Sequence, residues 1–91
     1  MSITKVRNMS SPRTGREVAN QFIIQADGSE IFQSYSTTIA VIDGFDVTLD
    51  EKALNYSRTT SKYLYQFLGE NREQIQTKID KGIYRVKDLN K

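Results

Sequence analysis

The sequence predicts an α+β fold, in which a three- to four-stranded antiparallel β-meander is followed by two short helices packed on one face. Two Asp-Gly pairs, at residues 27–28 and 43–44, separate runs rich in β-branched and aromatic residues, a pattern typical of hairpins. Apolar residues then recur at helical spacing, and a glycine follows each such stretch. At 91 residues, the chain is expected to form a single domain, residues 1–91.

Residues 1–16 are predicted to form an irregular basic arm. Turn-forming residues are concentrated here, and Pro12 is the only proline of the chain. Gly15 lies between Arg13 and Arg16, where the missing side chain lets the backbone approach a ligand. The segment is interpreted as either a structured turn or a mobile arm.

Residues 18–49 are predicted to form the meander. The first strand ends before Asp27-Gly28, and an alternating run begins at Glu30. A bend near residues 36–38 divides this run into two strands, and a short strand, Val47-Thr48-Leu49, follows the second Asp-Gly turn. Consecutive antiparallel strands of this kind make a meander.

Residues 57–82 are predicted to form the two helices. Ser57 and Thr59 are both candidates for the N-cap of the first helix, which ends at Gly69. Asn71 and Gln74 have the spacing of a capping box at the start of the second helix. Residues 83–91 are expected to form a tail or a last short strand.

The apolar periodicity also predicts which side chains are buried. Strands and helix are expected to bury one set of apolar residues in a common core: Phe22, Ile24, Ile31, Ile39, Val41, Leu49, Leu64, Phe67 and Leu68.

The composition argues against an enzyme. The chain has no histidine, the side chain best suited to acid–base catalysis near neutral pH, and no cysteine. No phosphate-binding glycine motif, catalytic motif or metal-ligand spacing is present, so no cofactor and no metal site are expected. No apolar run approaches the ~18 residues that span a bilayer, so no membrane partner is expected. The sequence therefore predicts a non-enzymatic protein of the cytoplasm.

The charges are strongly segregated along the chain. Residues 1–16 carry four basic and no acidic side chains, and residues 17–51 carry seven acidic and no basic ones. The remaining residues carry nine basic and four acidic side chains, which leaves a net charge of +2. One interpretation is ordinary solvated surface; the other is a dipolar molecule that binds an anion at one pole.

The candidate anion site is the start of the first predicted helix. Hydroxyl groups, cations and tyrosines are interleaved in residues 56–63, and a helix N-terminus attracts phosphate through free N–H groups. Arg58 and Lys62 are the candidate binding residues, with Arg13 and Arg16 of the basic arm as partners. The alternative is structural, with hydroxyl groups that cap the helix, tyrosines in the core and cations in solvent.

The acidic meander offers a second candidate surface. Four acidic residues near its end could bind a basic protein surface: Asp43, Asp46, Asp50 and Glu51. Catalysis by these carboxylates is not favoured, because aspartates at turns normally form local hydrogen bonds.

Three segments together resemble a family of small proteins from bacteriophages and related bacterial mobile elements. They are SPRTGREVANQF (11–22), FQSY (32–35) with Ile39-Ala40, and YSRTTSKY (56–63) leading to Phe67-Leu68. The family has no assigned activity and supplies no site residues. The resemblance spans nearly the whole chain, and it implies a complete phage-type protein in the cytoplasm of a bacterial host.

Two functions follow as expectations. The first is a phage-type accessory protein that binds nucleic acid weakly through the basic arm and the helix N-terminus. The second is a modulator or inhibitor of a host protein, such as a defence nuclease or a polymerase, that acts through the acidic meander. A minor structural role has few features in its favour.

Overall fold

The structure, a computed structural model, describes residues 4–90; residues 1–3 of the predicted arm and Lys91 of the predicted tail lie outside it. Within residues 4–90 the elements follow in this order: β1 (Lys5–Ser10), β2 (Glu17–Ala26), β3 (Ser29–Ser34), β4 (Thr37–Asp43), β5 (Asp46–Asp50), a 3-10 turn (Ala53–Asn55), α1 (Arg58–Leu68), α2 (Arg72–Asp80) and β6 (Tyr84–Lys87).

The strands form one mixed sheet in the order β1-β2-β3-β4-β5-β6. Each of the first five strands is antiparallel to its neighbour, whereas β6 is parallel to β5. The helices lie between β5 and β6 in the chain, because a parallel pair needs a long crossover connection. The α+β class is confirmed, but the predicted strand number is wrong: the sheet has six strands among the described residues, not three or four.

One of the additional strands is β1, where an irregular arm was predicted. Val6 pairs with Ile24 and Asn8 with Phe22, so this segment is held by β2 and not by its own weak apolar pattern. The turn-forming residues make only the loop that follows, closed by a 2.8 Å hydrogen bond from the Ser11 N–H to the Arg16 carbonyl. Gly15 has φ +74° in this loop, a conformation that favours glycine. The basic arm is therefore a hairpin.

Both helices cover the same face of the sheet, here called the inner face. The Phe67 ring of α1 lies 5.7 Å, between centroids, from the Phe32 ring of β3. The hydroxyl groups of Ser34 in β3 and Thr60 in α1 are hydrogen-bonded at 3.0 Å, which fixes the first turn of α1 on the sheet. Neither described helix is long and apolar enough to cross a membrane.

The predicted core is partly wrong. Ile39, Leu49 and Leu64 are fully buried, and Phe67 and Leu68 are half-buried against the core. The other four predicted residues are half-buried but lie outside the core cluster, on the opposite, outer face: Phe22, Ile24, Ile31 and Val41. Their strand neighbours point inward instead, so the predicted face of β2 and β3 was the reverse of the observed one.

The reversal has a simple cause in the sequence. Phe22, Ile23 and Ile24 are consecutive, as are Ile31 and Phe32, so both faces of β2 and β3 are apolar. Alternation assigns residues to two faces but does not say which face the helices will cover when both are apolar.

The helix ends agree with the sequence signals. Ser57 is the N-cap of α1 and accepts a hydrogen bond from the Thr60 N–H, and Gly69 ends the helix in the left-handed conformation. The capping box of Asn71 and Gln74 is present at α2, with both reciprocal hydrogen bonds at 2.9 Å. The predicted tail contains β6, the second additional strand.

Candidate functional site

An open groove lies where the two helices begin. The groove is open to solvent and has a volume of about 530 Å³. Three cations, two tyrosines and one serine line it: Tyr56, Arg58, Ser61, Lys62, Tyr65 and Arg72. These six residues define what is called the basic groove below.

Each cation of the basic groove is placed by its helix. Arg58 and Lys62 are four residues apart on α1, so they lie on one side of the helix, ~6 Å apart along its axis. Arg72 is the first residue of α2, and its guanidinium donates a 2.9 Å hydrogen bond to the Leu54 carbonyl of the 3-10 turn. The Lys62 ammonium lies 5.5 Å from the centroid of the Tyr63 ring.

The basic groove has no acidic residue in its lining. Among residues 4–90, the one salt bridge joins Lys78 to Glu70, which leaves the three groove cations without a carboxylate partner. Arg58 and Arg72 are also the first residues of their helices, where the helix dipole is positive. The groove therefore combines side-chain and backbone charge of one sign.

Arg13 and Arg16 do not line this groove. They are exposed on the loop between β1 and β2. Gln66, one helical turn beyond Lys62 on α1, donates a 2.9 Å hydrogen bond to the carbonyl of Ser10, the residue before that loop. The structure thus brings Arg58 and Lys62 together on one side of α1 and leaves Arg13 and Arg16 on a separate loop, which follows Ser10.

The predicted acidic surface is divided between the two ends of β5. Asp43 and Asp46 pair across the turn from β4 to β5, where both are exposed. Asp50 and Glu51 lie at the opposite end of the strand, ~13 Å from Asp46. The four carboxylates therefore do not form one surface.

Asp50 is a structural acceptor, because its side chain is buried and fully hydrogen-bonded. One carboxylate oxygen accepts the Tyr56 hydroxyl at 2.8 Å and the Lys52 N–H at 3.2 Å. The other accepts the Leu89 N–H at 3.0 Å and the side-chain amide of Asn90 at 3.2 Å. These five residues, called the Asp50 cluster, fasten the C-terminal segment to the end of β5.

The hydrogen bonds of the cluster set the ionisation of its members. Burial acts to raise the pKa of Asp50, but the hydrogen bonds from Tyr56, Leu89, Lys52 and Asn90 outweigh it and hold the pKa below its usual value. Burial, together with the hydrogen bond to Asp50 and the charge of that carboxylate, raises the pKa of Tyr56 to about 12. Tyr56 therefore stays a neutral donor.

Sequence reasoning missed Arg72 and Tyr65 as groove residues. The signal for Arg72 was present, since a cation directly after the N-cap Asn71 occupies a position where the helix dipole favours an acid. Tyr65 gave no separate signal, because its spacing within α1 is that of an ordinary helix residue. Among residues 4–90, no group of three or more potential ligand side chains is placed to hold a metal ion.

A family of unknown function (DUF8033) matches residues 4–83 of the chain. No curated protein and no solved structure matches the chain significantly. The family match covers most of the sequence, including the basic groove and strands β1 to β5, whereas β6 lies beyond it. The chain therefore belongs to the DUF8033 family.

Proposed function

We propose that the protein is a non-enzymatic accessory protein that binds single-stranded nucleic acid, weakly, through the basic groove. The observation that carries this proposal is the convergence of three cations without acidic partners and two tyrosines at the start of both helices. Cations that follow a strand of phosphates, interleaved with aromatic rings that stack on bases, are the usual composition of such sites.

The phosphates are assigned to the cations. Arg58 and Lys62 are ~6 Å apart along α1, close enough for successive phosphates of a flexible strand. Arg72 extends the line toward the 3-10 turn, and the helix dipole is positive at the start of both helices. Arg13 and Arg16 are assigned to contacts beyond the groove, past Gln66.

The bases are assigned to the tyrosines. Tyr56 and Tyr65 are half-buried, and the exposed parts of both side chains line the groove. A tyrosine ring accepts any base by stacking, so we expect little sequence preference. In a duplex the bases are stacked on one another, so the tyrosines cannot stack on them and add nothing to the affinity. We therefore assign a single strand, and not a duplex, to the groove.

The expected binding is modest. The net charge of the whole chain is only +2, and the acidic residues 17–51 oppose the approach of a polyanion. Affinity is therefore expected to come from the groove and to fall as salt rises. The resemblance to small phage proteins is consistent with an accessory role of this kind in a bacterial cell.

The test is a fluorescence-anisotropy titration of a labelled oligothymidine at low salt. Arg58→Ala/Lys62→Ala is expected to weaken binding at least about tenfold, with little change in melting temperature, because neither cation has a carboxylate partner and the contact of Lys62 with the Tyr63 ring is weak. The matched control, Lys81→Ala/Arg85→Ala, removes the same charge outside the groove lining and is expected to bind nearly as wild type. Equal losses in both variants would contradict a localised site.

The alternative is a modulator of a host protein. The observation that favours it is the turn between β4 and β5, where Phe45 is fully exposed between Asp43 and Asp46. An exposed aromatic ring flanked by acids suits an apolar pocket with a basic rim. Capture of one host protein by the wild type, lost in Phe45→Ala and retained after nuclease treatment, supports this alternative over nucleic acid.

A further inference from the structure

The centre of the outer face of the sheet is apolar, and neither helix covers it. The strand register places Val6, Ile24, Ile31 and Val41 side by side across four neighbouring strands, and Phe22 lies next to this row. Val6 is 60% exposed, the other four are half-buried, and none belongs to the core cluster or packs against it. These five residues define the outer apolar row.

A face of this kind is unusual in a sheet with helices on one side only. Antiparallel sheets of this type normally alternate apolar residues inward with polar residues outward. Here the outward positions at the centre of β2, β3 and β4 are aromatic or aliphatic. An apolar sheet face is most commonly covered by a second sheet, face to face at ~10 Å.

The size of the face fits a second copy of the chain. Six strands spaced ~4.8 Å apart and ~20 Å long present roughly 600 Å² in projection, and the side chains add to that. A standard interface buries ~800 Å² on each partner. The face is thus large enough for a small homodimer when most of it is used.

The charges on the outer face also permit self-association. A two-fold axis parallel to the strands places β4 over β3 and β5 over β2 of the other copy. Asp43 and Asp46 then lie over the end of the sheet that carries Ala26 and Ser29, and Arg85 lies over β1, whose outward residues are uncharged. No like charges are opposed in this arrangement.

We propose that two copies of this chain dimerise by stacking their outer faces, with Ile31 and Val41 of the outer apolar row at the centre of the interface. The helices, and the basic groove between them, lie on the inner face, so both grooves of the dimer stay open. The inference is independent of the proposed function, since it concerns the opposite side of the sheet.

The test is light scattering coupled to size-exclusion chromatography, at about 100 μM and on dilution. The wild type is expected at twice the 10.4 kDa of the chain, and Ile31→Lys at the monomer mass with unchanged circular dichroism. A charge at the centre of the row is expected to raise the dimer dissociation constant at least about 100-fold. Ile83→Lys, an exposed isoleucine on the helix side, is the control and is expected to remain a dimer.

Two results would overturn the proposal: a wild type that is monomeric at about 100 μM, or a folded Ile31→Lys that is still dimeric. If Ile31→Lys does not fold, Val6→Lys replaces it, because Val6 is largely exposed and at the edge strand. Capture of another protein on this face by a monomeric wild type also overturns it.

Discussion

The Asp50 cluster and the basic groove are neighbouring polar regions that share Tyr56, and they differ in how their charges are partnered. The Tyr56 hydroxyl donates to Asp50, whose carboxylate accepts four hydrogen bonds, while the Tyr56 side chain lines the groove. The groove cations have no carboxylate partner among the described residues. A charged side chain whose hydrogen bonds are satisfied within the protein stabilises the fold, whereas a cation without a carboxylate partner is available to bind an anion.

The largest loss of stability is expected for a substitution in the Asp50 cluster. Asp50→Asn replaces one carboxylate oxygen by an NH2 group, which is a hydrogen-bond donor. When this is the oxygen that accepts from Tyr56 and Lys52, both of these donors lose their acceptor. We expect a loss of roughly 2–4 kcal/mol in the free energy of unfolding, measured by urea denaturation. Asp46→Asn, on the same strand but exposed, is the control and is expected to change stability by less than about 0.5 kcal/mol. Equal losses of stability in the two variants would contradict the structural role of Asp50.

The pH dependence of stability follows from the same group. The pKa of Asp50 is lower in the folded protein than in the unfolded chain, where it is ~3.9. The contribution of Asp50 to the free energy of unfolding is therefore present above about pH 4, and it is lost as the pH falls through the pKa of the folded state. The stability difference between wild type and Asp50→Asn is expected to shrink in acid, and a constant difference from pH 7 to pH 2 would contradict this.

A smaller effect is expected for Tyr56→Phe, which removes the hydroxyl that links the two regions. Loss of one hydrogen bond to a charged group is expected to cost about 1.5–3 kcal/mol at pH 7. Folding raises the pKa of Tyr56 to about 12. The stabilisation by its hydroxyl group is therefore fully present below the unfolded pKa of ~10, and it is lost as the pH rises through the pKa of the folded state. Thermal melts at pH 7 and pH 11 check both points. Nucleic-acid binding is expected to persist, because the ring remains.

The smallest effect on stability is expected for Arg58→Glu, and its sign is opposite. An acid at the first position of α1 interacts favourably with the helix dipole, so we expect a gain of about 0.3–1 kcal/mol. Binding of nucleic acid is expected to fall sharply in the same variant. A thermal melt and an anisotropy titration measure the two quantities. A variant that is less stable than the wild type and still binds nucleic acid would contradict the assignment of Arg58 to binding and not to the fold.

Local signals in the sequence located the helices well but the sheet poorly. Capping at Ser57, Asn71 and Gly69 depends on neighbouring residues, which the sequence displays directly. The strands β1 and β6 are held by pairing partners distant in the chain, and their own patterns are weak. The covered face of β2 was also not predictable, because the packing of α1 on Phe32 decides it.

The candidate site was predictable in part for the same reason. Arg58 and Lys62 are close in sequence, and helical spacing alone brings them together. Arg72 joins them only through the packing of α2 against the 3-10 turn. The role of Asp50 depends on Leu89 and Asn90, which lie 39 and 40 residues away and which no local pattern connects to it.

The most direct test of the basic groove is the salt dependence of binding to a strand short enough to occupy the groove alone. With three groove cations on phosphates, a plot of log affinity for this short strand against log salt concentration is expected to have a slope of about −2, since each contact contributes about −0.7. Arg58→Ala/Lys62→Ala is expected to reduce the slope to about −0.7. A wild type that does not bind at low salt, or a double variant with the wild-type slope, would contradict the assignment of the basic groove.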